Sequence, residues 1–200
     1  MKSSSFEYAK QAFEIEAACL QEAFSHIDGE AFARAVQALA KAPRIAASGC
    51  GHSGIACQHF AHLMCCIERP ARFLSPSEAV HGALGFIKKD DVVLLASRGG
   101  KTAELLPIQK ICKEKGATII VVTENVSSIL AENADIVLKM FINREVDKYN
   151  SQGTTSNTML NVLFDALQAA LIEETDYKER QFALVHPGGA VGERLNRTST

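Results

Sequence analysis

At 200 residues the chain is long enough for one domain with a sizeable core, and its 47% hydrophobic and 22% charged residues are typical of a globular protein. A net charge of −2 without a basic block argues against a nucleic-acid partner, and no apolar run reaches membrane-spanning length. The N-terminal MKSSSFEYAKQAFEIEAA carries acids where a signal peptide needs an apolar core, so the expectation is a cytoplasmic protein with no membrane partner.

Ala9, Phe13, Ala17, Leu20 and Phe24 recur at helical spacing and predict an amphipathic helix over 6–27, broken at Asp28-Gly29. A second helix is expected over 30–40, ended by Pro43, and a first strand over 44–47. The pattern then alternates. Ser53 is placed to cap a helix running to 66, followed by a short strand at 71–74 and a clean apolar strand, DVVLLA, at 91–96. A helix at 102–114, the strand TIIVV at 118–122, a short helix at 127–132 and a strand at 135–140 come next. A long helix with an apolar stripe spans 155–172, and the remainder reads as irregular, holding His186-Pro187-Gly188-Gly189 and a polar tail. Alternating strands and helices predict an α/β fold, a parallel sheet with helices on both faces and strands buried on both sides. One domain is expected: a helical segment at 1–42, a core at 44–195 and a tail at 196–200.

The six cysteines form no CxxC pair and read as free thiols in a reducing compartment. His59 and His62 lie one helical turn apart, but without a carboxylate in register they read as core or interface residues, so neither a metal nor another cofactor is expected.

The stretch RIAASGCGHSG at 44–54 is a strand feeding a glycine-rich turn that opens a helix, a place where backbone N–H groups favour an anion. Gly49-x-Gly51-x-x-Gly54 also satisfies the dinucleotide fingerprint, which would make the protein a nicotinamide-dependent oxidoreductase. That reading needs an acid at the end of the second strand, where this chain has Phe73-Leu74-Ser75-Pro76. A turn that binds nothing is the third possibility. Two further loops resemble the first: SRGGKTAE at 97–104 and SQGTTS at 151–156, both with glycines and hydroxyls at a helix start. Three such loops at one sheet edge suit a phosphomonoester.

GCGHSG, SEAVHGALG, SRGGKTAEL, QGTTS and ALVHPGGAVGERL, in this order, resemble the sugar isomerase (SIS) domain family, and most of all its arabinose 5-phosphate isomerases, over about 44–195. The resemblance implies a three-layer sandwich with a five-stranded parallel sheet. It implies a homodimer or homotetramer with sites between subunits. Many of these isomerases continue into CBS domains after the HPGG segment, so this chain looks like the isomerase domain alone. It further implies phosphate contacts from Ser53, Ser97, Thr102, Thr154 and Ser156, with close backbone approach at Gly51 and Gly100, and candidate acid/base roles for Glu145, His186 and His81. His52 replaces the lysine of the family's usual GxGKSG. Gly99 and Lys101 replace the second serine and the glutamate of its SxSGES or SxSGET. Lys101, and with it Arg98, would add positive charge beside the phosphate.

The expected activity is therefore aldose–ketose isomerisation of a phosphosugar, ribulose 5-phosphate to arabinose 5-phosphate. A different phosphosugar such as a hexulose phosphate, or a non-catalytic sugar-phosphate-binding module, remains the alternative. The chemistry needs one base for the carbon proton and another group for the oxygens, roles that Glu145 and His186 would fill if the fold brings them together.

Overall fold

In the computed structural model, which describes residues 2–197, the strands are Ile45–Gly49 (β1), Ala71–Phe73 (β2), Val92–Ala96 (β3), Thr118–Thr123 (β4) and Ile136–Lys139 (β5). They form one parallel five-stranded sheet in the order β2-β1-β3-β4-β5. The helices are Ser3–Ala23 (α1), Gly29–Lys41 (α2), Gly51–Cys66 (α3), Pro76–Ala79 (α4), Leu106–Glu114 (α5), Ile129–Glu132 (α6), Thr155–Glu174 (α7), Glu179–Val185 (α8) and Gly189–Arg197 (α9). Residues 198–200 of the expected polar tail lie outside the described residues.

The period of two along a strand sends alternate side chains to opposite faces. Ile45, Ala47, Val92, Leu94, Ile120 and Val122 pack with α2, α3 and α7, where Phe60 and Phe164 meet at 4.8 Å between ring centroids. Ala46, Val93, Leu95, Ile119 and Val121 pack with Leu105, Ile108, Cys112 and Leu130 on the other face. The expected α/β sandwich is the observed one. The central strands are buried on both faces, but β2 is an edge strand of three residues and half-exposed, so burial of every strand does not hold.

Two other local expectations, the Ser53 cap and the irregular C-terminal stretch, are corrected. The apolar stripe of the expected first helix points outward: Phe13 is 80% and Phe24 81% exposed. α1 meets the body through its other side, where Glu16 accepts from Thr158 Oγ1 at 3.0 Å, Cys19 is buried against the Phe141 carbonyl, and Glu22 accepts from Asn143 Nδ2 at 3.1 Å. Ser53 does not cap α3. The helix starts at Gly51, with Cys50 in the extended N-cap position, which leaves Ser53 inside the first turn. The C-terminal stretch is helical rather than irregular; α8 has seven residues, under two turns, too few for an apolar period to declare itself.

The chain leaves β1 toward β2 on one side and, through β3, toward β4 and β5 on the other. The carboxyl ends of β1 and β3 therefore flank the point where the strand order reverses, the usual ligand crevice of an open α/β sheet.

Candidate functional site

The first turn is shaped by close packing of strand on helix. A Cβ on Gly54 would lie 2.6 Å from the Gly49 carbonyl oxygen, so the helix can sit this tightly on the strand end only with glycine there. Two of the three fingerprint glycines thus have a packing reason that needs no dinucleotide. His52 and Ser53 lie in the first turn of α3, His52 exposed and Ser53 half-buried.

The second loop follows β3, and the register Gly49↔Ala96 places its start beside the first turn. Ser97 Oγ and Thr102 Oγ1 share a hydrogen bond of 2.8 Å, and Ser97 Oγ also accepts from the Gly100 N–H at 3.1 Å. Gly100 has φ +66°, and its Cα approaches Ser128 so closely that any side chain would collide there. Lys101 is exposed.

The third loop runs from β5 back to the N-terminus of α7. A Cβ on Gly153 would lie 2.9 Å from His52 Nδ1, which puts the His52 ring directly over this loop. The structure therefore brings Gly51, His52, Ser53, Ser97, Gly100, Thr102, Thr154 and Ser156 to one edge of the sheet, around the crevice.

Arg144 and Lys148 on either side of Glu145 are exposed, but Glu145 is turned inward. It is fully buried. Its Oε1 accepts from Arg98 Nη1 at 2.7 Å; its Oε2 accepts from the backbone N–H of Thr154 at 2.9 Å and of Ser156 at 3.1 Å, and from Thr154 Oγ1 at 3.1 Å. A carboxylate thus sits on the N-terminus of α7, where the helix dipole favours negative charge. This alters two expectations. Glu145 has no surface that a substrate could touch without movement of the loop. Arg98 does not add free charge beside a phosphate, because its Nε donates to Glu124 Oε2 at 2.8 Å while its Nη1 serves Glu145.

A carboxylate that sequence reasoning passed over stands at the crevice. Glu104 lies in the 3-10 turn Ala103–Leu105 after the second loop and is exposed. Burial pushes the Cys50 thiol up, and the Glu104 carboxylate, within electrostatic reach, pushes it the same way. The loop loses a glutamate at Lys101 and has one three residues later, a signal visible in SRGGKTAE itself.

His81 lies in the turn after α4, exposed, and α4 packs against the turn that carries Glu104. His186 is elsewhere. It ends α8, its ring lies 5.1 Å from that of Phe182, and its Nδ1 is buried without a partner. Phe182 lines a groove with His62, Leu63 and Cys66 of α3 and Gln168 and Ile172 of α7, and His62 is about 16 Å along α3 from Gly51. The condition that the fold bring Glu145 and His186 together is not met within one chain, since α7 carries the C-terminal segment to the far end of the sheet; a neighbouring subunit is the other place His186 could act.

His59 pairs with Asp165 at 3.5 Å, and among the described residues no group of three His, Cys, Asp or Glu could hold a metal ion. No helix among them is long and apolar enough to cross a membrane.

The SIS domain family model matches residues 38–170. The arabinose 5-phosphate isomerase KdsD of Pseudomonas aeruginosa is 39% identical over 168 residues, which are 84% of this chain and 52% of that protein. The chain therefore spans about half the length of this relative. Among solved structures, a Listeria monocytogenes protein described as a candidate sugar-phosphate isomerase superposes with a TM-score of 0.91 at 38% identity, covering 94% of this chain and 99% of the other. An Escherichia coli CFT073 protein in complex with arabinose 5-phosphate superposes with a TM-score of 0.87 at 29% identity, covering 94% and 100%.

Proposed function

The chain belongs to the SIS domain family, and on that premise we propose that it isomerises a phosphosugar between aldose and ketose, with ribulose 5-phosphate and arabinose 5-phosphate as the leading pair. The observation that carries the proposal is the crevice at the strand-order reversal, where the Ser97 and Thr102 hydroxyls stand beside the N-terminus of α3.

The phosphate would be bound by the Ser97 and Thr102 hydroxyls, by Ser53 and by the backbone of the first turn, with Lys101 as the exposed cation. Thr154 and Ser156 support that site from the third loop; their N–H groups are engaged by Glu145. With the sugar open, Glu104 removes the carbon-bound proton and returns it to the neighbouring carbon through an enediol, while His52 exchanges protons with the sugar oxygens. The two side chains stand on adjacent segments, Glu104 in the turn after the second loop and His52 in the first turn of α3, over Gly153.

His186 enters the reaction from a second copy. The outward residues Phe6, Phe13 and Leu20 of α1, with Phe24 just after it, give the chain an apolar face suited to such pairing, as a homodimer or homotetramer. The compartment proposed is the cytoplasm, where all six free cysteines stay reduced.

The test is incubation with ribulose 5-phosphate, and separately with a hexulose 6-phosphate, in heavy water. Deuterium should appear on the carbon beside the carbonyl, and Glu104→Gln should lower its entry by about 100-fold or more. No deuterium in either sugar defeats the proposal. Mixing inactive Glu104→Gln and His186→Ala proteins should restore part of the activity if the site is shared between copies.

A further inference from the structure

From the second loop the Arg98 side chain reaches both neighbouring segments of the crevice wall. Its carbonyl oxygen accepts from the Glu124 N–H at 3.0 Å and from Thr123 Oγ1 at 2.9 Å, so its backbone is fixed to the end of β4. Its guanidinium then spreads its arms over two carboxylates, Nε to Glu124 Oε2 at 2.8 Å and Nη1 to Glu145 Oε1 at 2.7 Å. One of those carboxylates is exposed to the extent of 39%; the other, Glu145, is at 0%. Beyond Glu145 the connection continues to the N–H groups of Thr154 and Ser156 at the start of α7, and Thr154 Oγ1 accepts from the Val146 N–H at 3.0 Å.

Beyond Met140, whose N–H donates to the Thr123 carbonyl at the end of β4, the third loop between β5 and α7 pairs with no strand among the described residues, so no sheet ladder sets the position of its later part. The chain β4–Arg98–Glu145–α7 supplies what a ladder would. A lysine could not copy it, because one ammonium on a flexible stem does not offer two fixed arms to two carboxylates. Direct phosphate binding by Arg98 fits the geometry poorly. Two of its donors are engaged, and the two carboxylates around it would repel a phosphate dianion.

We propose that Arg98 is a positioning residue: by bridging Glu124 and Glu145 it sets the third loop, and with it Thr154, Ser156 and the floor under His52, against the phosphosugar crevice. The part of this inference that concerns the sugar rests on the proposed isomerase function; the part that concerns the loop does not.

The experiment has two arms on the full chain. The first needs no substrate. Amide hydrogen exchange at Thr154 and Ser156 should speed up about tenfold or more in Arg98→Leu, while amides within β4 such as Val121 keep their wild-type rates. Arg98→Lys should fall between the two. Adding Arg98→Leu to Glu145→Gln should give little further acceleration, because both changes break the same connection. Unchanged exchange at Thr154 and Ser156, full additivity of the two changes, or equal acceleration throughout β4 overturns the proposal. The second arm measures isomerisation of ribulose 5-phosphate. Arg98→Leu should raise KM about tenfold while changing kcat less, and Arg98→Lys should recover part of the loss. Loosened exchange with an unchanged KM overturns the positioning role. A wild-type protein inactive on every phosphosugar defeats the isomerase proposal, and the first arm still decides whether Arg98 sets the loop.

Discussion

Two arginine–carboxylate pairs lie at opposite edges of the same sheet. At the amino edge Arg44 grips the Asp91 carboxylate with both arms of its fork, Nε at 3.2 Å and Nη2 at 3.0 Å, and Asp91 also accepts from the Lys88 N–H at 2.7 Å. At the carboxyl edge Arg98 spreads the same fork over Glu124 and Glu145. The two acids are alike in burial, 1% and 0% exposed, and so are the two arginines, at 33% and 39%. Their settings differ. Arg44 and Asp91 directly precede β1 and β3, which are already registered as Ile45↔Val92, so that pair finishes a ladder the strands have made. Arg98 and Glu145 join segments that share no ladder. The same chemistry therefore strengthens the fold at one edge and sets the geometry of a site at the other.

The largest effect expected is on stability at the amino edge. Asp91→Ala leaves Arg44 without its partner and the Lys88 N–H without its acceptor, and should lower the unfolding free energy by about 3 kcal/mol in a urea titration. KM for the phosphosugar should stay at its wild-type value. Glu145→Gln comes next. The amide oxygen can still accept from Thr154 and Ser156, but its NH₂ group then faces Arg98, so the expected loss is about 1–2 kcal/mol with a clear rise in KM. Equal losses of stability and of affinity from the two substitutions would erase the distinction between the edges.

The amino-acid pattern made the scaffold legible and left the site's wiring largely hidden. DVVLLA and TIIVV are long enough and apolar enough to declare central strands, and the small-residue loops fall where the strands end. Glu145 was different. Within Arg144-Glu145-Val146-Asp147-Lys148 nothing local distinguishes a buried acid from solvated ones, because its donors come from 47 residues upstream and 9 to 11 downstream. The place of His186 is hidden for a related reason: the family motif names it, but nothing local tells that the length of α7 takes it to the other end of the sheet. Glu104 is legible in SRGGKTAE as an acid three residues beyond Lys101, but only the fold shows that it sits in an exposed turn directly after the second loop. The outward turn of Phe13 and Phe24 shows the limit of periodicity itself. A helical stripe tells that a face is apolar, not whether this chain or a second copy covers it.

A smaller effect tests the placement of Glu104 at the carboxyl edge. Its charge helps hold the Cys50 thiol above the ordinary range, after burial, so neutralising it should increase the thiolate. Alkylation of Cys50 by iodoacetamide near pH 8, followed by peptide mass spectrometry, should be about twofold faster in Glu104→Gln than in wild type. An unchanged rate would separate Glu104 from the first turn and leave the crevice without its exposed acid.

The smallest effect expected is acid-dependent and separates the third loop's own turn from its Arg98 anchor. Asp147 accepts from the N–H groups of Gln152 at 2.8 Å and of Ser151 and Tyr149, each at 2.9 Å, and these bonds, Gln152's first, hold its carboxyl below the ordinary value of 3.8. A group whose folded value is depressed contributes its stabilisation in full above the unfolded value. That contribution is lost as pH falls through the lower folded value. The amide NMR signals of Ser151 and Gln152 should therefore move together in a titration centred below pH 3.8 and show no such step in Asp147→Asn. Because Asp147 is only half-buried, global stability should change little over that step. If the Thr154 and Ser156 signals moved in the same step, the turn and the Arg98 connection would be one unit, and the order of the loop could no longer be credited to Arg98 alone.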